Sequence, residues 1–497
     1  MAARPAAGLS LSVSRQTGRR PALVAGLALA TSLALGGVSL VMPSAPTTDP
    51  WGWIVWGREI VHLDLSTAIG GSPSWKPLPV LFTAPLSVLG DGAPALWLLV
   101  ARAGALLGLM AAYGLGNRLY GRAAGLLSAL GILLSAGWLR EFMHGYSEGL
   151  AIALLLLAVD RHLAGRRGQA LALAAGVSLA RPEAFALTLL YGVYLWRAGG
   201  PKLGMAVVAL VVPALWLVPD WVGSGDPFHA SAVSHHVLGS GPSATWDALR
   251  EGARIIVLPL SLAALAGVAI ALRRGDVPTI AMSALAVGWV LLLTLLFLGG
   301  YPTSGRFYVL PAALVAVVGA GGLVRLAELA PGGGIRLAVA AVVAVAVLPA
   351  LPARVRDLRH QADAAVNRAR LERSLDRALR RAGPARLRAC GVGVLPDGVH
   401  KVFRGVVAWR LDVHLKRVRS VRTSALADIE LLAKGDQPRS GRRGVVVFTS
   451  RRRFFFAYPL DGRPVRLAGR RPRPLKLAGS AGAWRLLLPA ACARTVA

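Results

Sequence analysis

The sequence predicts a polytopic α-helical membrane protein with about eleven transmembrane helices, followed by a small C-terminal extracytoplasmic α/β domain. The first observation behind this fold class is composition, because 55% of the 497 residues are hydrophobic and only 16% are charged. The second is an uneven charge distribution, since residues 351–497 hold 33 basic and 10 acidic residues of a chain with a net charge of +32. This composition excludes a disordered chain and is unusual for a soluble protein.

Apolar runs that approach the length needed to cross a bilayer, about 20 residues, define the transmembrane body at residues 21–350. The fifth and sixth runs are short and are separated only by Arg181-Pro182, so they are either two spans or one broken hairpin. The first run is longer than the apolar core of a signal peptide, so we interpret it as a retained anchor. The predicted spans are residues 21–42, 93–114, 123–139, 147–160, 168–180, 182–196, 203–219, 253–272, 277–298, 307–324 and 335–350.

The distribution of Lys and Arg among the short loops predicts the orientation of these spans. Residues 1–20 are basic and are placed in the cytoplasm, and every second turn after them is also rich in arginine. The alternate loops carry mainly carboxylates, and two of them, 43–92 and 220–252, are long. This orientation places the basic domain, residues 351–497, outside the cytoplasm.

The first outer loop begins with an acidic residue at the membrane surface, followed by three tryptophans. Trp51, Trp53 and Trp56 suit a membrane interface, so residues 51–65 predict a short amphipathic helix lying on the membrane. Asp49 precedes a proline and has two open interpretations. It is either the N-cap of this helix or a carboxylate held at the membrane face as a general base.

Later in the same loop, Lys76 stands in the segment Trp75-Lys76-Pro77-Leu78-Pro79, whose two prolines predict an extended backbone. Two interpretations of Lys76 stay open. Its stem lies along apolar surface with the ammonium group at the interface, or the ammonium group is a point-charge ligand for a phosphate.

Asp49 just after the first span and the Lys76-Pro77-Leu78-Pro79 element together resemble membrane glycosyltransferases of the GT-C superfamily. More narrowly, they resemble the protein O-mannosyltransferase and aminoarabinose-transferase-like group and its actinobacterial relatives. The resemblance, over roughly residues 20–350, implies a polyprenyl-phosphate-linked sugar donor, with Asp49 catalytic and Lys76 beside the lipid phosphate. This chain departs from the family pattern in two places, because the second proline is displaced by one position and no second acid follows Asp49.

Two later elements supply further candidates. Arg306 and Tyr301 belong to a segment that resembles the late Arg-Phe-x-x-x-Pro element of this family, and Arg306 either pairs with a lipid phosphate or anchors the chain at the interface. Arg181 and Glu183 lie between two apolar runs, where charged groups are costly. They are either functional residues or a structural ion pair.

The remaining candidates are polar residues of the outer loops. Glu148 lies at the mouth of a span, where a carboxylate rarely lacks a partner. Arg58 is a further candidate for binding the donor phosphate. The candidates for substrate binding are Glu59, Trp75, Glu148, His144, Arg181, Glu183, His229, His235 and Tyr301.

No metal site is predicted from these residues. His235 and the adjacent His236 point in different directions on any regular element, so they do not form a chelating pair. No cofactor is firmly implied, and the sequence leaves open whether a divalent metal assists.

The basic domain is predicted to contain one long helix and several strands. Apolar periodicity predicts the helix over residues 352–381. The only two cysteines, Cys390 and Cys492, form an even pair outside the cytoplasm, which predicts a disulfide, with two buried thiols as the alternative. The predicted strands are residues 390–395, 402–409, 445–448, 454–458 and 484–488.

Arginine runs in the same domain raise the question of an acidic partner. They lie at residues 442–443, 451–453 and 470–473. An extracytoplasmic domain does not meet nucleic acid, so anionic membrane lipids or an acidic envelope polymer are better partners. An arginine-rich composition typical of a high-GC organism is the alternative explanation.

These observations predict an inverting glycosyltransferase of the plasma membrane that transfers a sugar from a polyprenyl-phosphate donor to an envelope glycan, lipid or protein. One alternative is a transporter or flippase for a lipid-linked glycan, which would carry polar residues through the middle of several spans. Another is a non-catalytic membrane protein that binds envelope polymer. Ionisable residues cluster at the outer ends of the spans, which favours chemistry at the outer face.

Overall fold

A computed structural model gives the fold over most of the chain. Helices and strands are numbered below in chain order within the described part. The described residues are 19–69, 72–232, 241–329, 332, 348–390, 392–396, 403–421, 454–459, 475–482 and 484–489.

Helices account for most of the first 330 residues. Ten of the eleven predicted spans overlap these helices, and the eleventh, 335–350, lies almost entirely outside the described residues. The helices are α1 (Arg19–Val38), α2 (Thr48–Val61), α3 (Pro77–Ser87), α4 (Ala93–Tyr120), α5 (Arg122–Leu133), α6 (Trp138–His144), α7 (Glu148–Leu163), α8 (Arg167–Ala180), α9 (Ala184–Arg197), α10 (Lys202–Ser224), α11 (Pro242–Ala253), α12 (Leu258–Arg274), α13 (Val277–Leu298) and α14 (Val309–Leu329).

Only some of these helices are long enough to cross a membrane unaided. Among the described residues, five helices have the required length and apolar composition, or up to seven if each of two bent pairs forms one span. Helices α8 and α9 have 14 residues each. That corresponds to about 21 Å of helix, less than the hydrocarbon thickness of about 30 Å. The chain is a multi-pass membrane protein, and the number of eleven spans stays a prediction.

Close packing within the body depends on small residues. A Cβ atom at Gly322 of α14 would lie 2.0 Å from the carbonyl oxygen of Ala263 in α12, so only glycine permits this approach. Phe297 is fully buried in the same core. Leu210 and Leu295 are instead 73% and 69% exposed, as expected of side chains that face lipid.

Helices α2 and α3, which begin beside Asp49 and Lys76, start differently from the prediction. The N-cap of α2 is Thr47, whose side-chain oxygen accepts a hydrogen bond from the next backbone N–H, so the N-cap interpretation of Asp49 is wrong. Asp49 lies in the first turn of α2. Lys76 has extended backbone, but Pro77 opens helix α3, which also contains Pro79, so the predicted extended Pro-x-Pro segment is also wrong.

Protein surrounds α2 on all sides. Trp51, Trp53 and Trp56 are at most 1% exposed, so the predicted helix on the membrane surface is wrong. The indole N–H of Trp51 donates to the carboxylate of Glu372 at 3.1 Å, and that of Trp53 donates to the carbonyl of Ser74 at 3.1 Å. We call the side of the molecule where α2 lies the α2 end of the body.

A helix and a five-stranded sheet follow the transmembrane body. The strand order is β2-β1-β3-β5-β4, with β1 parallel to β2 and β3, and β5 antiparallel to β3 and β4. The elements are α15 (Leu351–Ala382), α16 (Pro384–Cys390), α17 (Arg404–Arg410), β1 (Val392–Pro396), β2 (Val418–Val421), β3 (Phe454–Pro459), β4 (Leu475–Ala481) and β5 (Trp484–Pro489).

The long helix and three of the strands match the sequence prediction closely. The predicted strand at residues 402–409 is wrong, because α17 occupies that place. Its apolar run is short and buried on all sides, and periodicity alone cannot separate such a helix from a strand. The predicted strand at residues 445–448 lies outside the described residues, and so do the arginine runs at 442–443, 451–453 and 470–473.

The predicted disulfide also falls outside the described part of the chain. Cys390 ends α16, but its side chain is not described, and Cys492 lies beyond β5 in a segment that is not described. The disulfide therefore stays a prediction.

Helix α15 lies across the loops at the α2 end of the body. The guanidinium of Arg368 donates two hydrogen bonds to the carbonyl of Pro46, at 2.9 and 2.7 Å. The side-chain oxygen of Gln361 accepts a hydrogen bond from the backbone N–H of Arg140 at 2.6 Å. These contacts join the C-terminal region to the loop that carries Asp49.

Gly405 of α17 packs directly against α2, which leads to a stability prediction. A Cβ atom at Gly405 would lie 2.3 Å from the Cβ of Trp51. Gly405→Ala is therefore expected to destabilise the protein by about 1–3 kcal/mol, the usual cost of overpacking. Thermal unfolding of the purified protein measures this as a lower Tm.

A matched control is Gly192→Ala in α9, where an added Cβ atom would have nothing within 4 Å. Alanine also favours helix over glycine, so the Tm of this variant should stay the same or rise slightly. Equal Tm values for the two variants would contradict the tight contact between α17 and α2.

Candidate functional site

Several helix ends that are distant in sequence meet at the α2 end of the body. Asp49 lies in the first turn of α2, Lys76 precedes α3, and Glu148 opens α7. Arg181 separates α8 from α9, and Arg306 lies in a short 3₁₀ helix before α14. The packing of the helices thus collects five ionisable groups near one place.

The first contact joins the predicted general base to a predicted phosphate-binding residue. The Nη2 atom of Arg306 lies 3.4 Å from Oδ2 of Asp49, which is 8% exposed. The Arg306 guanidinium also lies over the ring of Tyr146, 5.5 Å from its centroid. The hydroxyl of Tyr146 lies 3.4 Å from Oγ1 of Thr47. Arg306 therefore contacts both Asp49 and Tyr146.

The second contact is a buried ionic cluster around Glu148. One oxygen of Glu148 lies 3.6 Å from Nζ of Lys76 and 2.6 Å from Nη2 of Arg181. All three residues are at most 4% exposed. Arg181 therefore pairs with Glu148, and the structural ion pair between Arg181 and Glu183 that the sequence left open is not formed.

Aromatic rings lie close to these cations. The ammonium of Lys76 lies 5.3 Å from the ring centroid of Trp53. The guanidinium of Arg181 lies 4.7 Å from the ring centroid of Phe307, which Arg306 also approaches at 6.0 Å. Ring faces attract cations electrostatically, so these contacts help to keep the charged side chains in place.

A cavity of about 230 Å³ adjoins these residues. Asp49 is not part of the cavity wall. It contacts Arg306, which is part of the wall. The predicted site residues on the wall are Trp75, Lys76, Arg181, Glu183, Tyr301 and Arg306.

Burial also changes the acidity of Lys76, which lies before α3 and outside the candidate spans. Desolvation lowers the pKa of Lys76 from 10.5 to about 8, although the nearby Glu148 carboxylate raises it. The positive charges of Arg181 and Arg306 lower it further. The ammonium form of Lys76 is therefore present below about pH 8 and is lost above it.

Two predicted site residues of α2 lie elsewhere. Arg58 contacts Asp412 at 3.1 Å and donates to the carbonyl of Val413 at 2.9 Å. An oxygen of Glu59 lies 3.1 Å from Nδ1 of His414, and burial raises the pKa of Glu59. Both side chains hold the C-terminal region and are absent from the cavity wall. The structure therefore does not place Arg58 with Lys76 or Arg306 as a phosphate ligand.

The predicted histidines contact backbone instead of the cavity. His144 approaches the carbonyl of Ala45 with Nδ1 at 3.3 Å, and His229 approaches the carbonyl of Ile69 with Nε2 at 3.1 Å. His235 lies outside the described residues. Within the described ranges, no group of three or more His, Cys, Asp or Glu residues is arranged to hold a metal ion.

Sequence reasoning did not single out three residues that the structure places at the site. Tyr146 lies under Arg306, and Oγ of Ser147 lies 3.4 Å from Nζ of Lys76. Asp220, at the end of α10, is on the cavity wall. Two signals were available: Tyr146 and Ser147 directly precede Glu148 in the sequence, and Asp220 is one of the outer-loop carboxylates.

The fold of this chain matches that of a solved membrane protein over nearly its whole length. The crystal structure of ArnT from Cupriavidus metallidurans bound to undecaprenyl phosphate aligns with a TM-score of 0.53 at 15% sequence identity, and the alignment covers 94% of this chain and 98% of ArnT. The chain has the GT-C fold. The apo structure of the same ArnT gives a TM-score of 0.52 at 12% identity, with coverages of 95% and 99%.

Other comparisons add little to the GT-C assignment. The archaeal oligosaccharyltransferase AglB from Archaeoglobus fulgidus, in complex with an inhibitory peptide and a dolichol-phosphate, aligns with a TM-score of 0.40 at 15% identity, covering 68% of this chain and 55% of AglB. No family model and no curated protein matches the sequence. The resemblance inferred from Asp49 and Lys76 is confirmed as a GT-C fold.

Proposed function

We propose that this chain is an inverting glycosyltransferase that moves a sugar from a polyprenyl-phosphate donor to an acceptor hydroxyl at the outer membrane face. The observation that carries the proposal is the contact between Asp49 and Arg306 beside a cavity that Lys76 and Arg181 also line. A carboxylate suited to accept a proton thus lies next to cations suited to bind a phosphate. The GT-C fold supports the same function, and the matching ArnT structure contains undecaprenyl phosphate.

The charge of the site fits a phosphodiester. Within the ionic contacts, Lys76, Arg181 and Arg306 face Asp49 and Glu148, which leaves one excess positive charge among these five residues. The two carboxylates of the cavity wall, Glu183 and Asp220, form no ion pair with these cations. A polyprenyl phosphate linked to a sugar carries one negative charge, so it would balance this excess. Cations fixed in a water-poor site stabilise charge that develops on a leaving phosphate.

The proposed reaction is a single displacement. Asp49 takes the proton of the acceptor hydroxyl as its oxygen attacks the anomeric carbon. The bond from the anomeric carbon to the phosphate oxygen breaks, and its electron pair leaves with the lipid phosphate. Lys76 and Arg306 stabilise that phosphate by charge-assisted hydrogen bonds. Attack from the face opposite the leaving group inverts the anomeric centre.

The distribution of Lys and Arg in the loops supports an orientation in which the α2 end faces outward. The lipid tail of the donor would then stay in the outer leaflet while the acceptor arrives from water. Residues 351–497 would lie on the same side, close to anionic headgroups or an acidic envelope polymer. The acceptor class, an envelope glycan, lipid or protein, follows from this location.

Transfer by the purified protein in lipid nanodiscs tests the proposal. The substrates are radiolabelled undecaprenyl-phosphate mannose, glucose and arabinose, offered with envelope extracts as acceptors. We expect release of undecaprenyl phosphate together with a labelled product whose anomeric configuration is opposite to that of the donor. Retention of configuration would contradict a single displacement. Movement of the intact donor across a bilayer without transfer would favour the flippase alternative.

The low pKa of Lys76 predicts how donor binding depends on pH. Affinity for undecaprenyl phosphate should be highest below about pH 8 and fall as the pH rises above it, because Lys76 loses its charge there. The arginine of the Lys76→Arg variant stays charged at these pH values, so the affinity of this variant for undecaprenyl phosphate should change little with pH. The same decline in both proteins would show that another group titrates.

A further inference from the structure

Glu183 is a buried carboxylate that the proposed reaction does not use. It is on the cavity wall and 5% exposed, and neither of its oxygens has a hydrogen-bond partner among the described residues. Buried polar groups in native proteins are nearly always hydrogen-bonded, because an unpaired one costs free energy. An unsatisfied carboxylate beside a cavity indicates that a ligand in the cavity supplies the missing donors.

The other carboxylates near the cavity already have partners. One oxygen of Glu148 holds Lys76 and Arg181. Asp220, also on the wall, accepts a hydrogen bond from the backbone N–H of Ala230 at 2.6 Å. Glu183 differs because both of its carboxylate oxygens lack a hydrogen-bond partner among the described residues.

The position of Glu183 relates it to the phosphate-binding cations. It follows Arg181 by two residues, across the break between α8 and α9, so one short segment gives the cavity a cation and an anion. The cations suit the phosphate of the donor, and the Glu183 carboxylate would repel it. Carboxylates accept hydrogen bonds and donate none, and sugar hydroxyls are good donors to them.

We propose that Glu183 is a specificity-determining residue that accepts hydrogen bonds from hydroxyl groups of the donor sugar while the phosphate lies at Lys76, Arg181 and Arg306. This inference rests on the proposed function, because it assumes a glycosyl phosphate in the cavity. It assigns the sugar to the part of the cavity beside Glu183. A sugar lacking the contacted hydroxyl would be bound only through its lipid phosphate.

The experiment compares the binding of undecaprenyl phosphate with that of undecaprenyl-phosphate mannose, glucose and arabinose in nanodiscs. The readout is the affinity gained through the sugar. For each sugar it is the Kd of undecaprenyl phosphate divided by the Kd of the sugar-linked lipid. Glu183→Gln should reduce this gain about tenfold for the best sugar, the effect of one charge-assisted hydrogen bond. Binding of undecaprenyl phosphate itself should not weaken, because the variant removes only a carboxylate that repels the phosphate.

A matched control is Asp160→Asn, because Asp160 pairs with Arg118 at 2.9 Å and lies outside the cavity wall. It should leave the sugar-dependent gain unchanged. Because Glu183 makes no hydrogen bond to described residues, Glu183→Gln should not lower the Tm. Should that variant fail to fold, Glu183→Asp serves instead, since it keeps the charge but withdraws it from the sugar.

Three results overturn the inference. If undecaprenyl phosphate binds normally and Glu183→Gln leaves the sugar-dependent gain intact, Glu183 does not recognise the sugar, and the proposed function still stands. If the variant weakens both ligands equally, Glu183 acts through Arg181. If the wild-type protein binds none of the probes, the proposed function itself fails, and the inference fails with it.

Discussion

Asp49→Asn is expected to lower the turnover rate of sugar transfer about 100- to 10,000-fold, the usual contribution of a general base. Asparagine has nearly the same shape as aspartate but cannot take the proton of the acceptor hydroxyl. Lys76 and Arg306 remain in the variant, so its affinity for undecaprenyl phosphate should be retained. Turnover and lipid-phosphate binding, measured on the same nanodisc preparations, separate these two effects.

The matched control for this prediction is Asp64→Asn in the same loop. The Asp64 side chain is 73% exposed and contacts His414, away from the cavity. Its turnover should be close to that of the wild type. Undiminished transfer by Asp49→Asn would exclude Asp49 as the base. Loss of both transfer and lipid binding would assign Asp49 the role of holding Arg306.

Glu148→Gln is expected to destabilise the protein by about 3–5 kcal/mol, because it leaves two buried cations without their carboxylate. Lys76 and Arg181 both contact the same oxygen of Glu148. The variant should show a strongly lowered Tm in detergent or nanodiscs. Adding Arg181→Gln removes one of the unpaired charges, so the double variant should recover part of the loss.

An exposed ion pair provides the comparison. Asp91 pairs with Arg380 and Arg410, but its side chain is 67% exposed. Asp91→Asn should therefore cost less than about 1 kcal/mol. If Asp91→Asn and Glu148→Gln lower the Tm equally, the buried cluster does not have the energetic role assigned to it.

Sequence patterns predicted the main features of the body and part of the site. Apolar runs identified the helices, because burial in lipid requires long uncharged segments. Asp49 and Lys76 share the first outer loop and Arg306 directly precedes a later run, so the sequence predicted all three at the outer face. The structure does place Asp49 against Arg306, and it places Arg306 and Lys76 on one cavity wall.

Contacts between distant segments were beyond the reach of sequence patterns. Arg58 follows Asp49 by about two and a half helical turns, so the two side chains leave α2 on opposite faces. Arg58 consequently meets Asp412 in the C-terminal region and not the cavity. The tryptophans of α2 suited a membrane interface equally well, and their burial and contacts, such as that of Gly405 with Trp51, show that protein covers them.

The most direct test of the proposed site is a cryo-electron microscopy structure of the wild-type protein with undecaprenyl phosphate. We predict phosphate density within hydrogen-bond distance of Nζ of Lys76 and the guanidinium of Arg306, with Asp49 adjacent and free to meet an acceptor. Phosphate density at another location, with Lys76 still bound only to Glu148, would contradict the proposed site.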